Sequence, residues 1–551
     1  MAELIVARRE DLRRALVSEE STWSWADVVA EAAARAAMLG QLRQDGPFHI
    51  GVLLENVPEY VFLLLAAALS GATVVGINPT RRGAELERDI RHTDCQLVLT
   101  DAGLAPLLDG LELGAARGRI LDIGLPDYAR LIGGQRPAPA TEQRPGPEEG
   151  VAPDTLYLLL FTSGSTGAPK AVRMTQGRAA RGAAESARAF TPDDVLYCAM
   201  PLFHGNALMA NLLPALVSGA TVVLRRRFSA SAFTPDVRRH GCTFFNYVGR
   251  ALSYILAVPE SPQDGDNRLR WALGSEASPQ NIAEFTRRFG CPIHEGYGSS
   301  ENAVIIVPVP GTPPTALGRP KRGSDVIIVD PETGTERAPA RLDPDGRLLN
   351  PADAVGEIVG RGSADRFEGY YNNPEADEQR TRGGWYWSGD LGYRDPEGFI
   401  YFAGRTADWL RVDGENFSAG AVERILNRFP GLTGVAVYGV PDVVGGDQVM
   451  AAVEMGPGVA FDPEALADFL SAQGDLGTKW SPRYVRVVGA LPVTGTAKVD
   501  KAPLRAERWE TTDPVWWQSA PGDAYRRMTT GDVAMLRQSF EAHGRGLILA
   551  R

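Results

Sequence analysis

Apolar and polar positions change period repeatedly along the N-terminal part of the chain. From residue 24 to residue 40, Ala, Val and Leu recur at helical spacing with Asp27, Glu31 and Arg35 between them, which predicts an amphipathic helix. HIGVLLEN (49–56) is a compact apolar run of strand length, and Asn56-Val57-Pro58 opens the next helix. That helix (61–69) turns at Ser70-Gly71 into a strand, ATVVGI. A helix over 83–92 and a strand at 96–100, QLVLT, follow. Residues 134–153, rich in Pro, Gly and charge, form a loop before a short buried strand, Leu158 to Phe161. Strand and helix alternate, so the expected class is α/β, with doubly wound sheets in a large N-terminal domain.

The C-terminal part has a different pattern. VAVYGVPD (435–442) and QVMAAVEM (448–455) read as strands and 463–472 as a helix, which predicts a small α+β domain. In the tail, TGDVAMLRQSF is a capped amphipathic helix expected to pack on that domain. No internal repeat is present.

Composition narrows the function. With 551 residues, 44% apolar and 23% charged, the chain is an ordinary globular protein of several folding units. A net charge of −11 argues against a nucleic-acid partner or an anionic membrane surface. The longest apolar stretch, Val61 to Ile77, is interrupted at Ser70-Gly71 and falls short of the ~20 residues of a membrane helix, so no transmembrane segment is expected. Cys95, Cys198, Cys242 and Cys291 are widely spaced, without CxxC, and read as reduced buried thiols of a cytoplasmic protein.

The chemistry centres on LLLFTSGSTGAPKAV (158–172). The strand opens into Thr162, Ser163, Gly164, Ser165, Thr166 and Gly167, with Lys170 beyond. The two glycines let backbone N–H groups approach an anion, and the hydroxyls and the lysine add donors and charge, a set suited to polyphosphate. It is not the common P-loop: Pro169 precedes the lysine and Ala171 follows it, so the Ser/Thr metal ligand is missing. The stretch resembles the phosphate loop of the AMP-forming adenylating superfamily, which includes acyl-CoA synthetases, peptide-synthetase adenylation domains and luciferases. In that family the loop holds the β- and γ-phosphates of ATP.

Further motifs extend the resemblance from about residue 24 to residue 535. In CAMPLFHGNALMANLLPAL (198–216), His204 stands where family members carry an aromatic or histidine beside the acyl group. The segment from Arg225 to the turn Asn246-Tyr247-Val248-Gly249 resembles the fatty-acid transport protein and very-long-chain acyl-CoA synthetase branch, although Arg250 replaces a frequent acid. The resemblance makes His204, Asn206, Ala210, Tyr247 and Arg250 the acyl-pocket candidates. WALGSEASP (271–279) ends in small residues that leave room for a flat ring, so Gly274, Ser275 and Glu276 are candidate adenine neighbours. HEGYGSSENAV (294–304) offers Tyr297 for stacking on a purine, Gly298 and Ser299 for close approach, and Ser300 and Glu301 as oxygen ligands for Mg²⁺. In SGDLGY, the paired oxygens of Asp390 suit both ribose hydroxyls, and Arg405 can reach the same sugar or the α-phosphate. Phe402 belongs to the same adenylate motif, and Gly414 in GENFS lies along the family's pantetheine path. Lys498 in LPVTGTAKVDK resembles the family's mobile lysine.

The resemblance implies an N-terminal adenylate-forming domain, 1–404, and a mobile C-terminal domain with a helical tail, 405–551, hinged just after Arg405. Ala407 occupies the hinge position where Asp or Lys is usual. It implies ATP, Mg²⁺ and CoA as cofactors and a small-molecule acid as substrate, with Thr162, Glu301 and Lys498 catalytic and Glu301 on the metal; a homodimer is the oligomer to test. Two alternatives stand beside the acyl-CoA ligase. One is activation of an unusual small acid in secondary metabolism, including nitrite for diazotisation of an aryl amine without CoA, to which polar Asn206, Asn211 and Arg250 lend weight. The other is a non-catalytic nucleotide or partner binder.

Overall fold

The computed structural model describes the chain except residues 20, 134–150, 163–169, 249–250, 276, 278, 314, 345, 347, 406–408, 413–414, 444–446, 475, 478, 495–497, 520–522, 544, 546–548 and 550–551. The side chains of 279, 405, 409, 411, 415–416 and 418 are likewise outside the description. The expected site residues Ser163, Gly164, Ser165, Thr166, Gly167, Arg250, Glu276 and Gly414, together with Ala407, therefore lie outside the described residues, as does the side chain of Arg405.

The chain is mixed α/β and divides into two compact units, 1–303 with 365–379, and 304–364 with 380–551. Position 404/405 falls inside the second. The first unit holds two sheets. One runs Ile120–Asp122, Cys95–Thr100, His49–Leu53, Thr73–Gly76, Leu156–Thr162, Lys170–Thr175, all parallel except the last pair. The other runs Ile293–Glu295, Trp271–Gly274, Phe244–Asn246, Val195–Cys198, Thr221–Leu224, Arg14–Ser18, Ser21–Ser24, again antiparallel only at the last pair.

The helices form where the sequence pattern puts them. Ser24 caps Trp25–Leu42 in a capping box with Asp27. Pro58–Ser70 is apolar on every face because it is buried from Tyr60 to Ser70, and Gly71 ends it in the left-handed conformation. Arg35 fixes the register of these two helices with a bidentate pair to Glu59, 2.7 Å at each oxygen.

Asn56 ties the two sheets together. Its amide donates to the carbonyls of Met200 (2.9 Å) and Arg225 (3.2 Å), and its oxygen accepts from Leu202 N–H (2.8 Å). Gly76 is needed for the same close approach, since a Cβ there would stand 2.8 Å from the Phe203 carbonyl oxygen.

The second unit carries an antiparallel sheet, Asp325–Val329, Gly356–Arg361, Trp385–Arg394 and Thr381–Arg382, with Ile400–Arg405 also paired to Trp385–Arg394. It also carries the C-terminal sheet, Leu432–Pro441, Asp447–Met455, Tyr484–Val488, Val515–Trp517 and Arg526–Arg527. The tail thus adds two strands that periodicity did not reveal. Its helix, Thr530–Ala542, buries Leu536 and Phe540 against that sheet in one cluster with Trp509 and Trp517.

All four cysteines are free and buried, and burial pushes their thiols up to about 12. Among the described residues no helix is long and apolar enough to cross a membrane.

Burial also marks Asp89, 1% exposed and 2.9 Å from the Arg81 guanidinium. Loss of hydration, only partly offset by Arg81, raises its carboxyl from 3.8 to about 6. Between those values the folded chain binds this proton more tightly than the unfolded chain. Its contribution to stability therefore falls as pH rises through the window, by about 3 kcal/mol. Urea denaturation of Asp89→Asn against the parent from pH 4 to 7 should show the difference in stability changing by that amount and then levelling. Parallel curves across the range would show that the carboxyl titrates normally.

Candidate functional site

The strand before the phosphate-loop sequence and the strand after it pair antiparallel, with Thr162 opposite Lys170. Thr162 Oγ1 donates weakly to Lys170 O (3.5 Å). The two ends of the loop are thereby held side by side, and the lysine leaves the sheet next to the threonine. Lys170 Nζ stands 6.0 Å from the centre of the Tyr370 ring, near the limit of a cation–π contact. Tyr370 Oη in turn donates to Glu301 Oε1 at 2.7 Å. Lys170, Tyr370 and Glu301 therefore form one connected line, with Glu301 5% exposed.

The turn that carries Glu301 is held from below. Arg178, on the helix Gln176–Ser186, donates to Ser300 O (2.6 Å) and to Arg173 O (2.9 Å). Ser299 O accepts from Asn302 N–H (3.0 Å), and Asn302 sits at φ 57°. Gly205, which follows His204, comes so near that a Cβ there would lie 3.6 Å from Ser300 Oγ. Gly298 and Ser299 are exposed, and a Cβ at 298 would meet nothing within 4 Å. Tyr297 is half-buried, and its predecessor Gly296 donates to Gly274 O (3.1 Å).

Gly274 and Tyr247 meet directly. A Cβ on Gly274 would fall 1.9 Å from Tyr247 Cζ, so the phenol ring covers that face of the glycine. The flat ring expected over this backbone is, on this side, the chain's own. Tyr247 is 1% exposed, and its Oη donates to Glu295 Oε1 (2.6 Å), which also accepts from Ala277 N–H (3.1 Å). Burial first, and the Glu295 charge second, raise the Tyr247 phenol and keep it a donor. Ser275 follows at the strand end.

His204 is half-buried at the start of a helical stretch, Gly205–Ala207, Leu208–Leu212 and Leu213–Ser218, whose middle segment is π-helical and contains Ala210 and Asn211. Wide turns of this kind recur at functional sites. Asn211 Nδ2 donates to Tyr197 O (3.0 Å) and to Asn246 Oδ1 (2.9 Å), and Asn246 Nδ2 donates to Asn206 Oδ1 (2.5 Å). The backbone carbonyl of Tyr197 accepts only a donor, so it sets the direction of the whole amide line.

In the second unit, Asp390 and Arg405 are register partners across adjacent strands, and Phe402 pairs with Gly392. Gly389 N–H donates to Glu357 Oε1 (2.7 Å), and Asp390 N–H to Ser388 Oγ (3.1 Å), which fixes the turn before the aspartate. Lys498 is half-buried on a hairpin closed by Thr494 N–H to Lys498 O (2.7 Å).

Among the described residues no three His, Cys, Asp or Glu side chains gather as a metal cage. A lone carboxylate with phosphates is nevertheless how Mg²⁺ is commonly held. Glu301 suits that role: one oxygen is taken by Tyr370, and the other has no partner among the described residues. Sequence reasoning missed Asn56, Arg178, Glu295 and Tyr370. The only hint was glycine beside aromatic residues in EGYYNNP (368–374) and in HEGYG.

A family model described as AMP-binding enzyme matches residues 5–371, and one described as AMP-binding enzyme C-terminal domain matches 421–498. The chain is 53% identical over 548 residues to steroid-22-oyl-CoA synthetase of Rhodococcus jostii (strain RHA1), covering 99% of this chain and 98% of that one. It is 44% identical over 517 residues to the medium/long-chain-fatty-acid–CoA ligase FadD17 of Mycobacterium marinum, covering 93% and 97%. The fold matches the ATP-bound RpMatB–BxBclM chimera B3 with a TM-score of 0.77 at 24% identity, over 92% of this chain and 98% of that one.

Proposed function

The chain belongs to the AMP-binding enzyme family, and from that premise we propose that it activates a steroid acid with its carboxyl at carbon 22. Membership of the family, with relatives named as a CoA synthetase and a CoA ligase, supports ATP-dependent, AMP-forming acyl-CoA ligation. The observation that carries the choice of acid is 53% identity along nearly the full length of both chains. The 44% identity to a medium/long-chain ligase makes a fatty acid the second reading.

In the first step a carboxylate oxygen attacks the α-phosphorus of ATP, and the bond to pyrophosphate breaks. The acid is already ionised near neutral pH, so no general base is required. Thr162 to Lys170 hold the leaving pyrophosphate, Lys498 meets the α-phosphate oxygens, and Asp390 with Arg405 hold the ribose. Tyr297 and Ser275 flank the adenine, and His204, Asn206 and Ala210 border the acyl group. Glu301 would hold Mg²⁺, which when bound would spread the phosphate charge. In the second step the CoA sulfur attacks the acyl carbon and AMP leaves, with pantetheine passing Gly414. Both steps depend on positioning and charge, the usual demand of transfer at phosphorus. We place the domain boundary at 404/405, with the hinge in the segment around Ala407, and the enzyme in the cytoplasm, where buried thiols stay reduced.

An AMP-release panel tests this reading: a steroid C22 acid, medium- and long-chain fatty acids, short and aryl acids, and nitrite, each with and without CoA. The steroid acid should give the highest kcat/KM, by about tenfold or more over fatty acids, as apolar pocket shape can supply. Release should depend on CoA. A tenfold preference for a fatty acid would replace the steroid reading by the second one. ATP consumption with nitrite and an aryl amine, and no thioester from any acid, would overturn both.

A further inference from the structure

We infer that Tyr370 is a positioning residue that presents Glu301 to the metal through a single oxygen; this rests on the reading of Glu301 as the Mg²⁺ ligand. Tyr370 is 2% exposed, and its hydroxyl points at one acceptor, Glu301 Oε1, at 2.7 Å. A phenol donor fills the lone pair through which a carboxylate would grip a cation with both oxygens. The remaining oxygen, Oε2, is left as a one-point ligand, the mode that suits the near-octahedral demands of Mg²⁺.

The tyrosine is itself fixed by the strand that leaves the phosphate loop. Arg173 N–H donates to Gly369 O (3.0 Å), Tyr371 N–H donates to Ala171 O (2.8 Å), and Tyr370 bridges Val172. On either side, Glu368 accepts from Thr175 N–H (2.8 Å) and Thr175 Oγ1 (2.7 Å), and Asp377 accepts from Tyr370 N–H (2.7 Å). The same ring carries Lys170 near its face. A displacement of the loop strand is therefore felt at the carboxylate through one rigid side chain. The partners that orient a metal ligand typically account for 10–100-fold in metal affinity.

The test is Mn²⁺ binding, followed by electron paramagnetic resonance, to the full chain with a non-hydrolysable ATP analogue. Tyr370→Phe keeps the ring and removes the donor. Its Mn²⁺ Kd should rise about tenfold, and the Mg²⁺ concentration for half-maximal turnover should rise with it, while kcat at saturating Mg²⁺ changes less. Glu301→Gln separates the two levels of argument. If it leaves Mn²⁺ binding unchanged, the metal reading itself falls. If it weakens binding and a folded Tyr370→Phe does not, only the inference about Tyr370 falls. Should Tyr370→Phe be recovered unfolded, 4-fluorophenylalanine at position 370 keeps the ring and its para bulk but has no proton to donate, and an unchanged Mn²⁺ Kd in that folded variant would equally overturn the inference.

Discussion

Lys498→Ala should lower acyl-adenylate formation by about a thousandfold and leave thioester formation from a supplied acyl-adenylate near its original rate. The size follows from losing one fixed charge at oxygens where negative charge grows in the transition state, which is commonly worth 10²–10³. The selectivity follows from the second step, in which the thiol attacks the acyl carbon and the phosphate only departs. The backbone hydrogen bonds around position 498 do not depend on its side chain. The hairpin stays closed through Thr494 N–H to Lys498 O and the Val493–Val499 bridge. It is anchored by Leu491 N–H to Glu454 Oε2 (2.9 Å) and Asp500 N–H to Pro492 O (2.8 Å), backbone contacts that an alanine at 498 leaves in place. ATP–pyrophosphate exchange reads the first step, and CoA consumption with purified adenylate reads the second. Equal losses in both would show that the lysine serves both steps, and the proposed division of labour would be wrong.

The fold was legible where one period dominates. The helices Trp25–Leu42, Pro58–Ser70 and Gly83–His92, and the strands between them, stand within a few residues of their expected positions. Each buries a continuous stripe or run, so local pattern and tertiary environment agree. The strands Val515–Trp517 and Arg526–Arg527 were not legible, because strands of three and two residues leave no period to detect. Trp517 is a strand residue through Tyr484: the rings stack at 6.0 Å and 2°, with Arg526 over the outer face at 4.9 Å. That is a contact between residues far apart in sequence, invisible to windowed reading. The site divides along the same line. Gly-rich and charged motifs point to its proposed reacting ends, Lys170, Glu301, Asp390 and Lys498, because phosphate chemistry restricts residue type. The groups that brace Glu301 and its turn are ordinary residues in ordinary contexts. Arg178 and Tyr370 acquire their roles only from partners that folding brings to them, as Asn56 does between the two sheets.

Gly274→Ala should produce a large loss of stability for the addition of one methyl group, about 3 kcal/mol or more. A Cβ at 274 would sit 1.9, 2.1 and 2.4 Å from Tyr247 Cζ, Cε1 and Cε2, far inside any tolerated contact. The ring cannot yield in small steps. Tyr247 N–H is bonded to Leu273 O (3.0 Å), and its hydroxyl to Glu295 (2.6 Å), while its ring packs within the cluster that includes Phe245 and Leu252. Overpacking a filled core costs about 1–3 kcal/mol, and expelling the phenol additionally leaves the half-buried Glu295 carboxylate without that donor. The strand end also loses its shape where Gly296 N–H meets Gly274 O, so the Tyr297 turn should shift and the KM for ATP rise. A double-mutant cycle isolates the cause. Tyr247→Ala alone should destabilise by emptying the space, but in its presence Gly274→Ala should cost little, giving a coupling of about 2–3 kcal/mol. Additive losses would mean that the glycine is required for its backbone conformation and not for the ring that covers it.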